Sequence, residues 1–218
     1  MAKLHGPLLS FGAQGQIGKT LVTSSWRGIK YARQYVTPAN PRTVAQQTNR
    51  TRFAFLREMY KLAPGTVRDP WIAFAKGRPF TDSNKFVGEN NRLLVGESDM
   101  LKAIMSPGAR GGLPPATVNV TTGAAPGELD VQVIVPDQLP DGWTIKHIAA
   151  AAIEDQDPTA LFSPPFVAGT VVPPTDTVTL TGLPDGATCT GYGWIVYTRP
   201  DGLDAYSVSL SGSAAAGA

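Results

Sequence analysis

The sequence predicts an α+β chain in two unlike parts: an N-terminal β-hairpin followed by helices, then a C-terminal all-β sandwich. Three observations predict it. The apolar period changes from helical to alternating near residue 106. At the same place the segment 106–116, SPGARGGLPPA, holds three Pro and three Gly with no apolar period, which is the composition of a linker. The charge also reverses there: residues 1–112 carry 17 of the 19 Lys and Arg but 6 of the 17 Asp and Glu, net +11, whereas residues 113–218 carry 2 and 11, net −9. The formal net charge of +2 therefore describes neither part, and the basic part is expected to face something anionic. The boundaries predicted are a basic anchoring domain over 1–105, a linker over 106–116, an acidic sandwich over 117–212 and a disordered tail over 213–218.

Within the first part, Thr20, Val22, Thr23 and Trp26, then Ile29, Tyr31 and Tyr35, are β-branched or aromatic on both sides of Trp26-Arg27-Gly28. That break reads as a hairpin turn, with Gly28 supplying positive φ. Asn40-Pro41 reads as a helix start, Asn as N-cap and Pro in the first turn. The helix beginning there, Arg42 to Leu62, sets Phe53, Leu56, Tyr60 and Ala63 opposite Arg50, Arg57 and Lys61. Pro64-Gly65 ends it. A second helix spans Val67 to Lys76 around Trp71 and Phe74, and a third follows Thr81 through Phe86 and Val87 towards Leu93 and Leu94. Glu97 to Met105 is a short fourth.

Beyond residue 116 the pattern is strands and turns. Seven strands are expected, at 117–122, 128–135, 143–151, 166–172, 175–183, 188–198 and 205–210, separated by Pro-Asp-Gly and Ala-Pro-Gly turns. Seven short strands in about a hundred residues are the signature of an immunoglobulin-like or fibronectin-like sandwich. The segment TVTLTGLPDGATCTGYGWIVYTRPDG resembles the late strands of fibronectin type III domains.

Several chemistries lack their parts. One cysteine, Cys189, with His5 and His147, assembles no Cys/His metal cluster, and no cofactor is implied. No apolar run approaches a membrane span or a secretory signal, which predicts a soluble chain with no membrane partner. AQGQIGKT, Ala13 to Thr20, fits a relaxed phosphate-loop pattern, but the residues after it are β-branched and interrupted by Gly28, so it reads as a flexible lead into the hairpin rather than a nucleotide cradle. Ser24, Ser25 and Ser83 lack a nucleophile elbow, and His147 reads as a solvated strand residue. Glu154, Asp155 and Asp157 lack the Gly and closing Glu of a calcium loop. The chain is expected not to be an enzyme.

The basic part carries the candidate site. Trp26, Arg27, Tyr31, Arg33, Arg42 and Arg50 combine guanidinium forks with aromatics, which suits docking on an acidic protein surface. The same inventory suits phosphates and stacked bases, so nucleic acid is the second partner class, disfavoured by the acidic neighbour. The order of GKTLVTSSWRGIKYARQYV, NPRTVAQQTNRTRFAFL, DPWIAFAKG and NKFVGENNRLL resembles a family of small proteins of tailed bacteriophages and prophages. The resemblance rests on Gly18, Lys19, Trp26, Gly28, Tyr31, Arg33, Asn40, Pro41, Arg42, Thr43, Gln46, Trp71, Phe86, Val87 and Asn90 and covers about residues 15 to 95. It implies a virion setting: a capsid decoration or a tail or neck component, multi-copy on a lattice or a homo-oligomer, with other virion proteins as partners.

Overall fold

The computed structural model describes residues 2–3, 14–37, 39–40, 42–115, 117–155, 162 and 164–218. His5, Ala13, Pro41 and Asp157 lie outside them. The chain opens on a ribbon of four short antiparallel strands, β1 (Ala2–Lys3), β2 (Gly15–Ile17), β3 (Leu21–Trp26) and β4 (Ile29–Gln34), in the order β1-β4-β3-β2. The predicted hairpin is β3–β4. The expected flexible lead is instead partly a strand, because Gly15, Gln16 and Ile17 pair with Thr23, Val22 and Leu21.

Three helices come next: α1 (Val44–Leu62), α2 (Gly65–Ala75) and α3 (Asp82–Leu93). The N-cap of α1 is Thr43 rather than Asn40, since the Thr43 hydroxyl accepts from the Gln46 amide at 3.4 Å. Thr81 caps α3 as its sequence predicts, accepting from Asn84 N. The buried stripe of α1 is Phe55, Leu56, Met59 and Tyr60, with Phe53 turned outward at 49% exposure. Phe55 displaces it because its ring meets Phe162 edge-on at 5.4 Å, from the far half of the chain. The expected fourth helix is a single 3-10 turn, Met100–Lys102.

The second part is a sandwich of two antiparallel sheets. β5 (Thr117–Thr122), β6 (Leu129–Ile134) and β9 (Thr177–Leu180) form one; β8 (Phe166–Val171), β7 (Thr144–Glu154), β10 (Thr188–Thr198) and β11 (Asp204–Tyr206) form the other, with β12 (Leu210–Ala215) also on β10. First, second and fifth strands in one sheet and fourth, third, sixth and the last two in the other is a fibronectin-like arrangement. The expected final strand, 205–210, is divided into β11 and β12 because Ser207 exchanges bonds with Ile195 through both its amide and its hydroxyl, which breaks the ladder.

Alternate residues of the central strands face two different cores. Ile148, Ala150, Ala152, Cys189, Ile195 and Tyr197 pack against Leu129, Val131 and Val133 of the other sheet. Ala149, Ala151, Ile153, Tyr192, Trp194 and Val196 pack instead against Phe55, Leu56, Met59, Trp71 and Phe86 of the helices. The molecule is thus helix, sheet, sheet, and β7 and β10 are buried on both faces, which explains their continuous runs Ala149–Ile153 and Gly191–Tyr197.

Two of the predicted boundaries are corrected by this packing. The described residues of the predicted linker 106–116, up to Pro115, are no free tether: Ser106 is fully buried, its hydroxyl donates to Ser207 O, and Met105 N and Ser106 N donate to Ser209 Oγ. Glycine there serves close approach, since a Cβ at Gly112 would lie 2.6 Å from the Tyr206 carbonyl. Residues 213–218 are no disordered tail either. β12 runs to Ala215, and the backbone beyond it is clamped by Ala216 N to Ala187 O and Gly217 N to Glu128 O, both 2.8 Å.

Candidate interaction surface

The ribbon stands apart from this layered body. Among the described residues it contributes nothing to either core, and Thr23 is its buried side chain. Its turn is tight because Arg27 (φ 45) and Gly28 (φ 83) both adopt positive φ, the two-residue type that matches strand twist. An arginine held there costs about 1 kcal/mol of backbone strain.

Cross-strand register decides which side chains share a face. Trp26 is opposite Ile29, Ser24 opposite Tyr31 and Val22 opposite Arg33. Trp26, Tyr31 and Arg33 therefore lie together, with Val22 and Ile29, on one face of the ribbon. The other face carries Leu21, Thr23, Ser25, Lys30 and Ala32. Trp26 is 48% exposed and Arg33 is exposed, while Tyr31 is half-buried, so this face offers an indole and a guanidinium to solvent beside a partly covered phenol. Arg27 projects from the tip beside it. Arg42 and Arg50 sit elsewhere, on the approach to α1 and on its exposed first half. The structure thus brings together three of the six predicted docking residues, sets a fourth at their edge, and places the last two on another element.

Sequence reasoning missed a second charged region. α2, the turn at Ala109–Gly111 and β11 enclose a cleft of about 440 Å³ whose lining includes Asp69, Lys76, Arg110, Lys146, Asp204 and Tyr206. Lys146 pairs with Asp204 at 2.7 Å, and the Arg110 guanidinium donates to the Asp204 carbonyl at 3.1 Å. Arg110 was hidden by its place in a segment read as linker; the signal available was a lone cation among glycines. Between α1 and α3 a smaller groove of about 190 Å³ is lined by Phe53, Arg57, Asn84, Val87 and Asn91. Near it Arg52 is buried to 5% exposure, donating to Asn49 Oδ1 and Asn91 O rather than facing solvent with the other cations of α1.

Several titratable groups are shifted by burial and by their neighbours. Burial, then its bond to Asp82 Oδ2 at 2.7 Å, pushes the Tyr60 phenol far up and ties α1 to the first turn of α3. Burial, with Glu154 and Asp155 nearby, pushes the Cys189 thiol up to about 11, the opposite of an activated nucleophile. Half-buried His147 is held below its ordinary value, by burial first and Lys146 second. Asp155 accepts from Thr190 Oγ1 at 2.7 Å, and no group of three or more metal-ligating side chains occurs among the described residues. Among them, too, no helix is long and apolar enough to cross a membrane.

No protein-family model matches the chain, and no curated protein matches it in sequence. Solved structures resemble its sandwich half. A computationally redesigned β-sandwich protein is 20% identical, covering 49% of this chain and 92% of its own, with a TM-score of 0.33. A structure described as a myokine is 13% identical over 48% of this chain and 96% of its own, TM-score 0.33. The fourth fibronectin type III domain of a human protein is 15% identical over 51% and 82%, TM-score 0.36.

Proposed function

We propose that the chain is a non-enzymatic structural protein of a tailed-phage particle, docking on other virion proteins through its basic ribbon and the start of α1 and presenting its sandwich outward. The observation that carries this reading is the face bearing exposed Trp26 and Arg33 with half-buried Tyr31 between them, on a ribbon that, among the described residues, takes no part in either core. An indole and a guanidinium held on a short sheet are the anchors that protein interfaces use, since burying them against a shaped acidic surface gains both apolar area and forked hydrogen bonds. Multiplicity on a lattice would turn weak single contacts into avidity. The virion setting is drawn from the motif order between residues 15 and 95, and a fibronectin-like module is at home as an appended domain on capsid, tail and baseplate proteins.

The test is incorporation. A chain carrying Arg27→Glu, Arg33→Glu and Arg42→Glu, shown by its melting curve to be folded, is expected to be lost from purified particles. Full occupancy of that variant would sink the docking reading. Copy number from a stained gel of purified particles then separates a decoration, present in many copies, from a neck or tail component, present in few. The same cations and aromatics on one sheet face also suit single-stranded nucleic acid. That reading requires full-length protein to retard an oligonucleotide at low salt, with an affinity falling steeply as salt rises.

A further inference from the structure

Trp26 and Arg33 are exposed on the ribbon, and no side chain of either core among the described residues covers them, so this face is open to a partner. Charge names what covers it. Residues 14–36 contain Lys19, Arg27, Lys30 and Arg33 and no Asp or Glu, whereas residues 113–218 contain 11 acids and two bases. The ion pairs Glu58–Lys61, Lys85–Glu89 and Glu97–Lys102 lie within the basic half, and Lys146–Asp204 and Arg199–Asp201 within the acidic half. These pairs leave the two halves' opposite charge excesses in place.

The acidic excess is also polarised. β7 and β10 run antiparallel, pairing Thr144 with Thr198 at one end and Glu154 with Cys189 at the other. The sandwich's two bases, Lys146 and Arg199, belong to the first end. The second end, about 30 Å away along the strands, carries Glu154 and Asp155. Beside them are the loops holding Glu128 and Asp185, stitched together by Gly217, whose amide bonds Glu128 O and whose carbonyl accepts from Gly186 N. The sandwich supplies no Lys or Arg there.

We infer that the covering partner is a second copy of this chain: the Trp26–Arg33 face of one copy seats on the Glu154–Asp155 end of the next, head to tail. Because the two surfaces differ, the contact is heterologous and repeats into a ring or an open row. The inference rests on reading the ribbon as a docking element, and it identifies the partner.

Full-length protein is examined by sedimentation velocity at about 50 mM and about 500 mM salt, where the screening length shrinks about threefold. Association at low salt and its loss at high salt are expected. Arg27→Glu with Arg33→Glu, or Glu154→Lys with Asp155→Lys, is each expected to weaken association alone by about tenfold or more. An equimolar mixture of the two variants restores it, since each then offers the charge the other lacks. Should Asp155→Lys disturb folding through its bond to Thr190, Glu128→Lys with Asp185→Lys takes its place. A wild-type chain that stays monomeric at low salt overturns the inference. So does association that survives either reversal, or a mixture that fails to restore it. A sandwich-reversed variant that enters particles at full occupancy without self-associating overturns the inference while leaving the docking reading intact. Loss of particle incorporation by the ribbon-reversed variant alone, with wild-type self-association unchanged by it, likewise overturns the second-copy partner.

Discussion

Gly193 gives the sharpest test of how the two sheets meet. It lies mid-strand in β10, on the side facing β5 and β6, and a Cβ built there would stand 2.5 Å from Val133 Cγ2 and 3.1 and 3.2 Å from the two methyls of Val118. Val133 is fully buried in the inter-sheet core, so its methyl has nowhere to swing. Gly193 does not have positive φ, so the cost of Gly193→Ala is overpacking rather than backbone strain. Overpacking of this kind costs about 1–3 kcal/mol, or roughly 2–12 °C of melting temperature in a chain of this size. Urea unfolding followed by tryptophan fluorescence measures it. Val133→Ala alone should cost about 2 kcal/mol for the cavity it leaves. The double variant should be more stable than the sum of the two losses by at least about 1 kcal/mol, because the new methyl occupies the space vacated. A neutral Gly193→Ala, or strictly additive losses, would refute the contact.

The same packing sets further outcomes. Tyr192→Phe removes the hydroxyl that donates to Leu101 O between β10 and the 3-10 turn; leaving that carbonyl unpaired should cost about 1–3 kcal/mol by chemical denaturation. Gly88 lies in α3 with nothing within 4 Å of a built Cβ, so Gly88→Ala should raise stability, by up to about 1 kcal/mol. His147 is held below its ordinary 6.5, so below that pH the unfolded chain binds more protons than the folded one, and stability is lost as pH falls from 6.5. His147→Gln should flatten that slope in melting curves taken across the window. Deleting residues 213–218 removes the end of β12 and the Ala216 and Gly217 bonds, and should lower the melting temperature by several degrees rather than leave it unchanged.

How far the fold was legible depended on whether a residue's partners were near it in the chain. The turn at Trp26-Arg27-Gly28, the Thr81 cap and the span of β10 are local, and each appears where the pattern sets it. The inward turn of Phe55 is not, because Phe162 decides it from more than a hundred residues away. Nor is the fate of SPGARGGLPPA: the small residues that suit a tether also let a chain run hard against Tyr206 and Val208. The continuous apolar run from Ala149 to Ile153 was the available sign that the sheet is covered on both sides, since a one-sided sandwich strand alternates. As for the candidate surface, alternation along β3 and β4 sufficed to group Trp26, Tyr31 and Arg33 once the register was known. Arg42 and Arg50 joined them only by composition.

The shared sheet also fixes an order of events at synthesis. α1, α2 and α3 emerge before the sandwich, yet the layer they pack against is completed by Tyr192, Trp194 and Val196, about a hundred residues later. Until those residues leave the ribosome, Leu56, Trp71 and Phe86 have at most the β7 and β8 part of their sheet to bury them, and the nascent helices hold apolar surface open. Helix formation can be early, but the helical layer locks only when β10 is out. A stall or a stop codon before β10 therefore releases not a folded helical domain but an aggregation-prone fragment.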